Sequence, residues 1–284
     1  MRLRRLMPGL PLTLLTIIAS SPAGSAPEPL RLPLALVANN PVTSIEVGGH
    51  EIKVVVDTGG GELALSREAL TQAGAVELAG DPTIWTDANG HAHEARRFRV
   101  PHLRVGGRLF PNLDAIEAET IPGGPPVPNA LGREFLRQFI VLMDYPGRRM
   151  TLLSPKTADA EAEAMGCKGA RVPFELTTAP ALVITRVKLD GATVRLLWDT
   201  GAMYSSLPAS VVASHQLTVA PAVGERPPFY NSKRLIIGGS DFGPLEFVVL
   251  PLELPADFDG MLGYNAFAQH VVCLNYGRSQ LRVR

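Results

Sequence analysis

The chain of 284 residues has little of what marks several large protein classes. It has two cysteines, Cys167 and Cys273, which excludes a dense disulfide framework; a CxxC or Cys/His zinc pattern is also absent. Charged residues are 19% of the chain and cancel to zero formal charge, so no basic field is available for nucleic acid or an anionic membrane. Beyond the N-terminus no run approaches the roughly 18 to 20 apolar residues that span a bilayer. Gly123-Gly124 and Gly238-Gly239 precede neither a lysine–serine pair nor a clear helix and are not phosphate cradles. His91 and His93 lack a third ligand nearby in the pattern, so no metal and no other cofactor is expected.

What is present is an apolar, turn-rich chain. Hydrophobic residues make up 46%, enough for a packed core, and 27 glycines with 25 prolines favour strands and turns over helices. Residues 1–26 read as a secretory signal: Arg2, Arg4 and Arg5 are the basic start, Leu10 to Ala19 the apolar stretch, and Gly24-Ser25-Ala26 the cleavage site. An exported protein can pair its two cysteines. Cys273, inside Val271-Val272-Cys273-Leu274, suits a buried free thiol equally well.

The most informative feature is a repeat. Asp57-Thr58-Gly59 and Asp199-Thr200-Gly201 each end an apolar strand-like run, Ile52 to Val56 and Val194 to Trp198. At the same offset stand two hairpin turns, Val47-Gly48-Gly49 and Leu189-Asp190-Gly191, and two helix-like segments, Ser66 to Leu70 and Pro208 to Val212. A second block aligns at a shorter offset. Leu131-Gly132 matches Leu262-Gly263, Asp144-Tyr145 matches Asn275-Tyr276, and Phe139 to Met143 matches His270 to Leu274. The organisation is therefore a signal over 1–26, an N-terminal lobe over 27–154, a linker over 155–169 and a C-terminal lobe over 170–284, with each lobe of about 125 residues, an ordinary domain size. The linker is rich in Ala, Glu and Lys without an apolar stripe. The fold class is all-β, two small barrel lobes related by a pseudo-twofold axis.

In these motifs the chain resembles the retropepsin-like aspartic proteases, in a bacterial, tandem, single-chain form. The likeness covers roughly residues 30–154 and 170–284. Its most specific elements are the paired Asp-Thr-Gly triplets and the paired turns Ala130-Leu131-Gly132 and Met261-Leu262-Gly263. It implies a catalytic dyad, Asp57 and Asp199, that hydrolyses peptide bonds with an activated water. It also implies support of the two loops by Thr58, Gly59, Thr200 and Gly201, with the hydroxyls of Thr58 and Thr200 locking the loops reciprocally. Two carboxylates in contact cannot both ionise, so one keeps a proton and the other acts as base; this family is a standard example of such a dyad. The residues after the triplets, Gly60 and Ala202, lack the hydroxyl found in pepsin-like enzymes, which points to a weakly acidic optimum of about pH 4.5 to 6.5.

A flap over the substrate is expected from copy one, with Trp85 on it and Asn89-Gly90 at its turn. In copy two Pro227-Pro228 interrupts the corresponding stretch, so its counterpart is expected to be shortened or altered. Trp198, one residue before Asp199, falls on the opposite strand face and reads as packing. The expected partner is an extended peptide or protein. The expected state is an exported monomer, periplasmic or secreted, that forms its own pseudo-dimer. A non-catalytic peptide-binding or regulatory module that keeps the same fold is the competing reading.

Overall fold

The computed structural model describes residues 27–86, 92–119, 127–177, 182–224, 226–251, 254 and 257–284. The expected signal segment, the flap turn at Asn89-Gly90 and most of the Pro122–Pro128 connector lie outside the described residues.

Each lobe is built around the hairpin that carries its aspartate. Asn40–Val47 pairs antiparallel with His50–Val56, and Val183–Leu189 with Ala192–Trp198. The turns between them have positive φ at both central residues, 56° and 83° at Gly48 and Gly49, 46° and 94° at Asp190 and Gly191. That is the two-residue turn whose twist matches the strands it joins. Alternating residues of these strands, among them Ile45, Val47, Val54 and Val56, then Val187, Leu189, Leu196 and Trp198, enter the main core.

Both lobes repeat one unusual pairing. The aspartate strand runs parallel to a short strand that ends in Leu-Gly: His50–Val56 beside Ala130–Leu131, and Ala192–Trp198 beside Gly260–Leu262. That short strand is in turn antiparallel to the segment that follows the aspartate loop, Leu63–Leu65 or Ser206–Pro208. The chain thus leaves the aspartate, crosses over, and returns later to fill the gap. In the first lobe Asn40–Val47 also bonds to Arg97–Val105, which curls the eight-stranded sheet onto itself. The helices are short: Arg67–Gln72, capped by the Ser66 hydroxyl, and its counterpart Ala209–Ser214.

A six-stranded sheet joins the lobes. Leu30–Pro33, Arg149–Leu153 and Ile140–Asp144 come from the first lobe, and Val271–Asn275, Gln280–Val283 and Ala170–Pro173 from the second. At its centre Ile140–Asp144 pairs antiparallel with Val271–Asn275, and Leu142 lies opposite Cys273, its own counterpart in the repeat. The pseudo-twofold axis therefore passes through this pair.

The 155–169 segment does more than connect. Its helix, Asp159–Ala164, lies on the outer face of the joining sheet, with Ala162 buried against Ile140, Leu142, Leu153 and Val271. Asp159 and Glu163 pair with Arg171 and Arg282, and Asp159 also with Arg278. Cys167 and Cys273 form a disulfide, with Cα atoms 5.3 Å apart. The free-thiol alternative is set aside. No apolar stripe announces this packing because one small alanine, one cystine and five ion-paired side chains suffice to seat a helix of six residues.

Candidate active site

The two aspartate loops are held from below by the Leu-Gly segments. The Asp57 N–H donates to the Leu131 carbonyl at 3.2 Å, and the Asp199 N–H to that of Leu262 at 3.0 Å. One step on, the N–H groups of Arg133 and Tyr264 donate to the carbonyls of Gly60 and Ala202, each at 2.9 Å. Such close backbone contact leaves no space for a side chain on the intervening glycine. A Cβ on Gly132 would sit 2.0 Å from the Glu62 carbonyl oxygen, and one on Gly263 would sit 2.5 Å from that of Tyr204.

Between the loops the threonines cross over. Thr58 Oγ1 donates to the Trp198 carbonyl at 2.6 Å and accepts from the Thr200 N–H at 3.1 Å. Thr200 Oγ1 donates to the Val56 carbonyl at 2.6 Å and accepts from the Thr58 N–H at 3.0 Å. Partners 140 to 144 residues apart meet in one buried lattice of four bonds. The bonds run reciprocally between the loops, each hydroxyl donating once and accepting once.

Above that lattice the carboxyl groups of Asp57 and Asp199 come together, close enough to interact directly. Asp57 Oδ1 accepts from the N–H groups of Gly59 and Gly60 at 2.9 and 2.8 Å, and Asp199 Oδ1 from those of Gly201 and Ala202 at 2.8 and 3.1 Å. Each carboxyl lies over the glycine of the opposite triplet: a Cβ on Gly59 would stand 2.4 Å from Asp199 Cγ, and one on Gly201 would stand 2.6 Å from Asp57 Cγ. These two glycines are required by the partner's carboxylate, a more specific reason than access for water.

Burial raises the Asp57 carboxyl above the ordinary aspartate range, against the lowering effect of the Gly60 and Gly59 amides. Asp199 is raised well above that range by burial and by repulsion from Asp57. The pair therefore retains a proton at pH values where isolated aspartates have lost theirs.

Residues 43–135 match the family model of aspartyl protease. In three dimensions the chain is similar to the aspartic proteinase from Irpex lacteus, with a TM-score of 0.59 at 10% identity over 90% of this chain and 97% of that one. This is an aspartic-proteinase fold. No curated protein matches the sequence.

Within that fold a first-lobe tyrosine packs on the second lobe. Tyr145, from the end of the first lobe's joining strand, packs on Tyr264 and Phe267 of the second lobe. Burial and the nearby Asp199 push its phenol up. Tyr276, its counterpart, lies within electrostatic reach of Arg133 and Asp57 of the first lobe. The sequence shows these tyrosines as aligned positions of the repeat but not that Tyr145 packs on the other lobe while Tyr276 packs edge-on against Phe174 of its own. Trp198 is buried as expected, stacked on Phe267 at 5.0 Å with its Nε1–H donating to Thr185.

The expected flap begins as a hairpin, Thr83–Thr86 with Ala92–Ala95, on which Trp85 faces His93 in a stacked pair at 4.4 Å. His93 is also 3.9 Å from Glu119. In copy two the bridges Ala220–Phe229 and Val223–Arg226 form a shorter hairpin. Among the described residues no group of three or more His, Cys, Asp or Glu is arranged to hold a metal.

One further residue escaped sequence reasoning. Asn40 is fully buried, and its Nδ2 donates to the carbonyl of Gly201 in the opposite lobe's triplet. An asparagine at a strand start gives no signal of such a reach.

Proposed function

We propose that the chain is an aspartic endopeptidase in which Asp57 and Asp199 share a proton and activate a water. The observation that carries this reading is the close approach of two carboxyl groups, each set over the glycine of the opposite triplet by duplicated loops. In the reaction the ionised carboxylate takes a proton from the water as its oxygen attacks the scissile carbonyl carbon. The protonated carboxyl gives its proton to the carbonyl oxygen, which yields a tetrahedral diol. Collapse of the diol breaks the C–N bond, with a proton passing from the dyad to the leaving nitrogen. The amides of Gly59, Gly60, Gly201 and Ala202 hold the carboxyls in register throughout.

The substrate is an extended peptide lying between the lobes, covered by the segment that bears Trp85. The joining sheet makes one chain its own pseudo-dimer, so a monomer suffices. The disulfide and the signal-like residues 1–26 support export to an oxidising compartment, periplasmic or extracellular.

Cleavage of an unfolded protein such as reduced, alkylated casein across pH 3 to 8, beside Asp57→Asn and Asp199→Asn, tests the proposal. Loss of cleavage in both folded variants is the expected result. An inactive wild type, or activity retained in either variant, would remove it.

A further inference from the structure

The outer face of the joining sheet presents one arrangement twice. About the axis through Leu142 and Cys273, the strand registers place Ile140, Asn275, Gln280 and Arg282 in the same relation as Val271, Asp144, Arg149 and Thr151. The outermost strands keep that relation: Arg171 stands opposite Arg282, and Arg31 opposite Thr151. The first of these two sites is filled from within the chain. Ile140, Cys273, Asn275, Gln280 and Arg282 surround Asp159 and Ala162 of the linker helix. Ala162 is buried there, and the carboxylates of Asp159 and Glu163, one helical turn apart, pair with Arg171 and Arg282.

The second site is a groove of about 170 Å³. Leu142 and Val271 form its floor, Met165 and Gly166 at the end of the linker helix form one wall, and Arg31, Arg149, Arg284 and Asp144 border it. Asp144 is already committed: Oδ1 accepts the Gly147 N–H at 2.8 Å, and Oδ2 pairs with Arg149 at 2.7 Å. Arg31 and Arg284 are exposed, and among the described residues neither guanidinium has an ion-pair partner. Thr151 is 8% exposed, and its hydroxyl makes no hydrogen bond among the described residues. A buried hydroxyl and two guanidinium groups, set over an apolar floor, fit an acceptor that carries negative charge. The filled site shows the form such an acceptor takes: two carboxylates a turn apart around a small apolar residue. Arg31 stands in the place of Arg171, Thr151 in that of Arg282, and Arg284 adds a second positive charge. The groove is smaller than the about 300–1,000 Å³ of pockets that enclose a small ligand, which favours a few side chains of a larger molecule. We infer that this groove docks an acidic helical segment of a partner protein, in the manner in which the linker helix fills the equivalent site. It lies on the outer face of the joining sheet, away from the main core, and does not rest on the protease reading.

The probe is a fluorescein-labelled peptide with the sequence of residues 157–165 of this chain, Thr-Ala-Asp-Ala-Glu-Ala-Glu-Ala-Met, titrated to millimolar concentration against the folded protein and followed by anisotropy. The wild type is expected to bind it. Arg31→Glu combined with Arg284→Glu should weaken binding about three- to thirtyfold, the scale of two exposed ion pairs. A peptide with lysine at the three acidic positions should bind the charge-reversed variant and not the wild type. Both arginines are exposed, so the variant is expected to keep the fold, which melting checks; Arg31→Gln with Arg284→Gln replaces it if charge reversal disturbs folding. Absence of binding by the wild type, or binding that the variants leave unchanged, would overturn the inference. So would equal binding of a peptide of the same composition with its three acids adjacent, because the helical spacing would then carry nothing. Vesicles of anionic phospholipid that bind the wild type as tightly, with the same loss in the variants, would also overturn it and assign the arginines to a membrane surface. None of these readouts uses cleavage, so failure of the protease reading leaves the test intact.

Discussion

Thr58 and Thr200 each bond to the other's loop and not to their own: each hydroxyl donates to the carbonyl that precedes the opposite aspartate and accepts the opposite threonine's N–H. The consequence is mechanical. Neither aspartate loop is complete without the other lobe, so the geometry of the dyad and the association of the lobes are one property.

Replacing either threonine by valine keeps the shape and removes two buried hydrogen bonds, leaving a carbonyl and an N–H unpaired. A loss of about 1–3 kcal/mol is expected from each variant, and the double variant should be less than additive because the bonds form one network. Thr→Ser, which keeps the hydroxyl, should cost much less. Urea unfolding measures all of these, and equal losses for Val and Ser would contradict the role given to the hydroxyls.

The raised dyad makes stability depend on pH with a definite sign. Unfolded, both aspartates titrate near 3.8; folded, Asp57 and Asp199 hold protons above that value. The contribution is fully present below the unfolded pKa and is lost as pH rises through the folded one. Asp199→Asn removes this titration. Its stability, followed by melting, should gain on the wild type steadily as pH climbs from about 4 into the neutral range, by roughly 1.4 kcal/mol for each pKa unit removed. Parallel melting curves for the two proteins would show that the carboxyls are not coupled in the fold.

Position 202 tunes acidity. The Ala202 N–H already reaches Asp199 Oδ1 at 3.1 Å, so Ala202→Ser adds a hydroxyl beside a carboxylate that lacks one. The acid limb of the pH–rate profile should move down by about one unit, since hydrogen bonding to the anion favours it. The matching change in the first lobe behaves differently: a Cβ on Gly60 would lie 2.7 Å from Asp57 Oδ2. Gly60→Ser should lower kcat through displacement of Asp57, a split that one set of rate profiles resolves.

The disulfide spans 106 residues and pins the linker helix to the joining sheet. Cys167→Ala with Cys273→Ala is expected to lower stability by about 2–4 kcal/mol by freeing the unfolded chain. The pH–rate profile should stay where it is, because Cys273 lies on the outer face of the joining sheet, away from the main core. A change in profile without a change in melting would place the bond in the wrong role.

Much of this fold was legible because its signals are local and doubled. An Asp-Thr-Gly after an apolar run, a Gly-Gly or Asp-Gly turn ten residues or so earlier and a Leu-Gly later each reflect short-range sterics, and the repeat confirms the reading by stating it twice. The pairing of Cys167 with Cys273, the seating of the linker helix and the reach of Asn40 to Gly201 were not legible. Each depends on how close two distant backbones come, and side-chain type alone does not encode that.

The sequence by itself determined the inventory: two aspartates, the turns that present them, the hydroxyls beside them and the missing hydroxyls at Gly60 and Ala202. Only the tertiary structure decided the symmetry and its breaking. The central pairing of Leu142 with Cys273 sets the axis that brings the two carboxyls together, and the packing of Tyr145 on the second lobe follows from it. The linker helix, seated to one side of that axis, then makes the halves unequal, and Asn40 reaches across to Gly201. The physical reason is that a hydrogen bond between residues 161 positions apart is a property of packing, and packing is a decision of the whole chain.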